Sequence, residues 1–178
     1  MCLLIIDMIN EFKFPEAEHM FPEVLSVAER ITELKVRMKA AALPIIYIND
    51  NFGQWRSNLP QLVQQCLSER CRGRAVVQRL QPDDNDYIVL KPRHSGFFGT
   101  PLELLLTFVG ARRLIITGIA TDSCVLYTAA DAYMRDYDLI VPRDCVTTVN
   151  AEAHGHSLHH MQTMLKANTG PSSALSVT

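Results

Sequence analysis

Five short segments of this chain are apolar without alternation: Cys2–Ile6, Pro44–Asn49, Tyr87–Leu90, Leu114–Thr117 and Leu139–Val141. A strand with one wet face alternates apolar and polar residues, whereas a strand covered on both faces has no reason to. Stretches with helical spacing lie between them. Glu23–Ala42 places Val24, Val27, Ala28, Ile31, Leu34 and Met38 on one stripe. Thr100–Val109 opens on a Thr-Pro pair suited to a helix start and is followed by Gly110. Ser123–Arg135 and Ala151–Lys166 read as helices too, and Ser57–Gln78 as mostly helical without clear divisions. Covered strands alternating with helices predict right-handed βαβ crossovers. The expected fold is a three-layer α/β/α sandwich around a mostly parallel, doubly wound, Rossmann-like sheet. The tail Asn168–Thr178 is either a loose end or a weak last edge strand.

The length of 178 residues suits one domain, 1–178, with a substantial core. With a net charge of -2 and no block of Lys or Arg, neither a nucleic acid nor an anionic membrane is an expected partner. No apolar run approaches the ~20 residues of a membrane span. The apolar start Met1–Ile6 is too short for a signal h-region and lacks a basic leader. Five cysteines, odd in number and without a CxxC pair, speak against a disulfide framework and a zinc site. The expectation is a cytoplasmic protein acting on a small molecule.

Polar residues fall at telling places. Asp7 closes the first apolar run, Asp50 the second and Lys91 the third, while Gly118–Cys124 follows the fourth. In an open parallel sheet all of these stand on the carboxyl rim, where α/β ligand sites form. Each has a plain alternative. Asp7 is a general base or a loop cap, and Lys91 is a partner for a thiolate or a lysine reaching to solvent. Cys124 is a nucleophile or an inert small hydrophobe. A helix N-terminus and a nearby lysine predict a thiol pKa lowered from about 8.5, and the same N-terminus offers N–H donors to an oxyanion.

The residues Leu3-Leu4-Ile5-Ile6-Asp7-Met8-Ile9-Asn10-Glu11-Phe12 resemble the first-strand motif of the isochorismatase-like cysteine hydrolases. Lys91-Pro92-Arg93-His94-Ser95-Gly96-Phe97-Phe98-Gly99-Thr100-Pro101-Leu102 is similar to their lysine motif, and Gly118-Ile119-Ala120-Thr121-Asp122-Ser123-Cys124-Val125 to their nucleophile motif. The resemblance implies an Asp7–Lys91–Cys124 triad on a sheet of about six strands. It also implies a cis peptide at Ile119–Ala120 and an oxyanion hole from the backbone of Ala120 and Cys124. By the same resemblance, the reaction is hydrolysis of a carboxamide or related C–N bond through an acyl-enzyme, without a cofactor. Phe97, Phe12, Trp55 and Tyr127 become candidate pocket walls, and a homo-oligomer (dimer or tetramer) is expected.

Two departures from the family pattern narrow this. Ile9 stands where many relatives carry glutamine, and Phe52 where metal-dependent nicotinamidases carry a histidine of an Asp-x-His pair. The second departure predicts no metal site and no ordinary nicotinamidase activity. Asp50 either binds substrate or caps its loop, and Asp122 is a supporting residue or a cap. His154, His156, His159 and His160 read as surface residues on a late helix. The competing functions are vinyl-ether hydrolysis with Asp7 as acid, a silent binding scaffold, and a receiver domain. The last would need an acidic pair after the first strand, where this chain has Asp7-Met8.

Overall fold

The computed structural model describes residues 1–51 and 58–177. Its strands are β1 (Cys2–Ile6), β2 (Ile45–Asp50), β3 (Tyr87–Lys91), β4 (Arg113–Ile119), β5 (Asp138–Ile140) and β6 (Val146–Thr147). Its helices are α1 (Ala17–Ala40), α2 (Leu59–Cys66), α3 (Arg74–Leu80), α4 (Leu102–Phe108), α5 (Leu126–Tyr133) and α6 (Ala151–Met164). A π turn, Thr121–Val125, leads into α5. The strands form one six-stranded sheet in the order β3-β2-β1-β4-β5, with every pairing parallel and β6 beside the far end of β4.

The continuous apolar runs are explained by the layers on either side. Leu3, Ile5, Ile45, Tyr47 and Ile115 pack with α1, α2 and α3, while Leu4, Ile6, Ile46, Ile48, Leu114 and Ile116 pack with α4, α5 and α6. Successive strand residues point to opposite faces, so both registers must be apolar. Each such side chain contributes about 1.5–3 kcal/mol by leaving water. Thr117 is the exception inside β4, and its hydroxyl donates to the Leu4 carbonyl at 2.8 Å.

Three elements differ from expectation. Helix α1 begins at Ala17 and runs through Pro22, because Ala17 and Met20 continue its buried stripe. The proline removes one N–H donor early in a long helix, a local loss. Strand β6 joins the sheet with only Val146 and Thr147, too few residues to show a period. The tail is neither loose nor a strand. Asn168 makes one parallel bridge to Ile140, and a 3-10 turn at Ser172–Ala174 follows. Arg37 then holds the carbonyls of Ser172 and Leu175, and Asp144 accepts from the Ser172 amide and hydroxyl. Among the described residues, no helix is long and apolar enough to cross a membrane.

Candidate active site

The sheet grows from β1 to β2 and β3 on one side, and to β4 and β5 on the other. Neighbouring strands whose crossovers depart in opposite directions leave a crevice at their carboxyl ends. Asp7 leaves β1 at that crevice, and the π turn with Cys124 leaves β4 there. The two strands are held close by Gly118. Its φ is +106°, and a Cβ built on it would lie 2.0 Å from the Ile6 carbonyl oxygen. Asp7 takes φ 53°, which turns the chain out of the strand. Its amide donates to the Ile48 carbonyl at 2.9 Å, and its Oδ1 accepts from the Asp50 amide at 2.7 Å. On the other side the Ile119–Ala120 peptide is cis. The Ala120 carbonyl then accepts from the amides of Ser123 (3.0 Å) and Val125 (3.1 Å), the residues flanking Cys124.

Lys91 reaches into this crevice from the end of β3 and is fully buried. Its Nζ lies 2.8 Å from Asp7 Oδ2, 3.3 Å from Cys124 Sγ and 3.7 Å from Asp50 Oδ2. Burial pushes the Asp7 carboxyl above the usual carboxylate range, against the opposing pull of Lys91. Burial also works against the Lys91 ammonium, but the charges of Asp7 and Cys124 outweigh it and its pKa is raised. The thiol corrects the sequence expectation. Desolvation, then the Asp7 charge, pushes Cys124 up to about 12, although Lys91 works to lower it. An adjacent lysine therefore does not make a resting thiolate here, because the lysine's charge is already matched by a buried carboxylate. The Asp7 carboxyl is also close enough to act on the Cys124 thiol, so the thiol proton has a base beside it.

Sequence reasoning overlooked the outer side of the sulfur. His94 Nδ1 lies 3.7 Å from Cys124 Sγ and 3.1 Å from Ser123 Oγ. Tyr127 stacks on the His94 ring, with centroids 5.6 Å apart and planes inclined by 20°. The signal was available, because His94 sits in the lysine motif and Ser123 beside the cysteine. Three consecutive residues before Cys124 are each tied to a different element. Thr121 Oγ1 meets His154 Nδ1 on α6 at 2.9 Å, Asp122 Oδ1 accepts from Thr148 at 2.7 Å, and Ser123 meets His94.

The remaining candidates divide. Tyr127 stands exposed at the rim through its contact with His94. Phe97 does not face the crevice. It is 6% exposed and lies under the Arg135 guanidinium at 4.7 Å, beside Tyr137, beyond the opposite end of α5 from Cys124. Phe12 is fully buried against Phe21 and Phe14, so its ring belongs to the core and offers a ligand no surface. In both cases the aromatic's covering of apolar neighbours decided its direction. Trp55 and Phe52 lie outside the described residues. Asp122 supports the π turn by a side-chain bond. Of the four late histidines, His156, His159 and His160 are exposed, while His154 is half-buried and held below the usual imidazole range by burial. Among the described residues, no three His, Cys, Asp or Glu side chains are grouped as metal ligands would be.

The chain is similar to known proteins in sequence and in fold. The isochorismatase domain model matches residues 1–170. The isochorismatase family protein YaaI of Bacillus subtilis strain 168 is 40% identical over 165 residues, which cover 93% of this chain and 90% of that protein. The ureidoacrylate amidohydrolase RutB of Methylorubrum extorquens strain AM1 is 44% identical over 85 residues, covering 48% of this chain but only 34% of that relative. Among solved structures, an isochorismatase family protein from Desulfovibrio vulgaris superposes with a TM-score of 0.77 at 25% identity, covering 97% of this chain and 94% of that one.

Proposed function

The chain belongs to the isochorismatase family, and from that premise we propose that it is a hydrolase that opens a small carboxamide or related C–N bond with Cys124 as nucleophile. One observation carries this reading: a single ammonium, Lys91 Nζ, stands 2.8 Å from Asp7 and 3.3 Å from Cys124 Sγ. The negative charge can therefore move from carboxylate to sulfur without leaving the reach of its counter-ion. The likeness to an amidohydrolase supports the choice of bond.

In this reading the reaction starts from a neutral thiol beside an Asp7 carboxylate. As a substrate carbonyl seats over the sulfur, the thiol proton passes to Asp7 and the S–C bond forms. Burial lifts Asp7, which makes it a better base for this transfer. The carbonyl oxygen, now negative, is received by the amides of Ala120 and Cys124. Asp7 returns its proton to the leaving nitrogen, the C–N bond breaks, and ammonia or an amine departs. Water then cleaves the thioester, releasing the carboxylic acid and restoring the thiol.

Ammonia release from a panel of small primary amides and ureido compounds tests this. Cys124→Ala is expected to lower the rate by about 10⁴-fold or more. A variant as active as the wild type would overturn the thiol chemistry and leave Asp7 acting alone as an acid.

A further inference from the structure

The Cys124 sulfur has an inner and an outer side. On the inner side are Lys91 and Asp7. Asp7 is 5% exposed, its Oδ1 held by the Asp50 amide and its Oδ2 by Lys91. On the outer side is His94, exposed to solvent, with Nδ1 3.7 Å from Sγ. Its ring is fixed from two directions, by stacking on Tyr127 and by the Ser123 hydroxyl at 3.1 Å. We propose that His94 is the base that activates water in the second half of the reaction. Asp7 then serves the thiol proton and His94 the water. This rests on Cys124 being the nucleophile, as proposed above.

The geometry favours it in three ways. Water reaches the thioester from the solvent side, where His94 stands and Asp7 does not. An acyl carbon on Sγ is one bond length from the sulfur, so a water approaching it from outside comes within hydrogen-bond reach of Nδ1, about 2.6–3.2 Å. Finally, the Ser123 hydroxyl, 3.1 Å from that nitrogen, keeps Nδ1 turned toward the side of the ring that faces the sulfur.

The step balances. Nδ1 takes one proton from water as the water oxygen bonds to the acyl carbon. The C–S bond breaks, and the proton passes from Nδ1 to the departing sulfur. One water is consumed, and one carboxylic acid and one thiol are formed.

p-Nitrophenyl acetate provides a probe that needs no knowledge of the natural amide. The wild type is expected to release p-nitrophenolate in a burst as Cys124 is acetylated, then to turn over. In His94→Ala and His94→Gln the burst keeps its amplitude and rate. Decay of acetyl-Cys124, followed by intact-protein mass spectrometry, slows by about 10²-fold. Added imidazole restores decay in the alanine variant, which a merely structural role would not allow. Decay at the wild-type rate, or a slower burst with unchanged decay, would overturn the assignment. Absence of acetyl-Cys124 in the wild type would instead overturn the nucleophile, and this inference with it.

Discussion

Lys35 and Lys91 are both buried among aspartates, the first beside the amino end of β3 and the second at its carboxyl end. Lys35 donates to Asp86 and to the Tyr47 hydroxyl, both at 2.8 Å, and to the Gln81 carbonyl at 3.0 Å. An ammonium has three N–H donors, so this shell is complete and made of oxygen alone. Burial, then the Asp86 charge, pushes the Tyr47 hydroxyl up and keeps it neutral. Lys91 has Asp7 at 2.8 Å and Asp50 at 3.7 Å, and between them in distance it has the Cys124 sulfur at 3.3 Å. That sulfur can exchange its proton for a charge without moving. One lysine holds α1 to the neighbouring strands, and the other has a partner whose charge can change.

The largest expected effect separates the two by activity. Lys91→Met leaves Asp7 buried without its counter-ion, so Asp7 takes a proton and stops acting as a base. The rate of amide hydrolysis should fall by about 10²–10⁴-fold in steady-state assays. Lys35→Met should leave the rate per folded molecule nearly unchanged. Its effect is on stability, a loss of about 3–5 kcal/mol in urea denaturation, because Asp86 is left buried and unpaired. Equal loss of activity in the two variants would erase the distinction.

A smaller effect concerns pH. The Cys124 thiol rises from an ordinary 9.0 to about 12 on folding, so the folded protein holds that proton harder than the unfolded chain. Such a group's contribution is complete below the unfolded value and is lost as pH rises toward the folded one. Stability should therefore fall between pH 9.0 and about 12. Cys2, Cys66 and Cys145 are pushed up to about 12 by burial and act in the same direction. Cys124→Ala should flatten the decline by one thiol's share, read from urea midpoints across that range. Alkylation of Cys124 by iodoacetamide should climb through the same interval, and a plateau near neutrality would contradict the raised thiol.

The smallest effect tests the bonds that pin the π turn. Thr148→Ala removes the hydrogen bond to Asp122 and should lower kcat about fivefold, the equivalent of about 1 kcal/mol. A change confined to thermal stability would show that the turn keeps its shape without that bond.

The sandwich was legible because an abrupt passage from apolar run to charge marks both a covered strand and its rim end, as at Ile6-Asp7 and Leu90-Lys91. What stayed hidden has physical causes. Two residues cannot display a period, so β6 was invisible. A π turn has no spacing of its own within five residues, so its last three, Ser123, Cys124 and Val125, read as the start of the helix that follows. Phe12 and Phe97 belong to the right motifs, but a sequence says nothing of which way a ring points. The lowered thiol was a reasonable inference from Lys91 alone, and it failed because Asp7 already claims that charge. His94 looked like any polar loop residue until the fold set it over the sulfur.

Gly118 has a wider consequence. The spacing between acid and nucleophile is set by an atom that is missing, since a methyl group there would collide with the Ile6 carbonyl. Directed evolution of this scaffold would accordingly find freedom at the outer rim, around Tyr127 and His94, and almost none at the seam between β1 and β4. New substrates can be accommodated from outside, while the span across which the proton moves is inherited with the backbone.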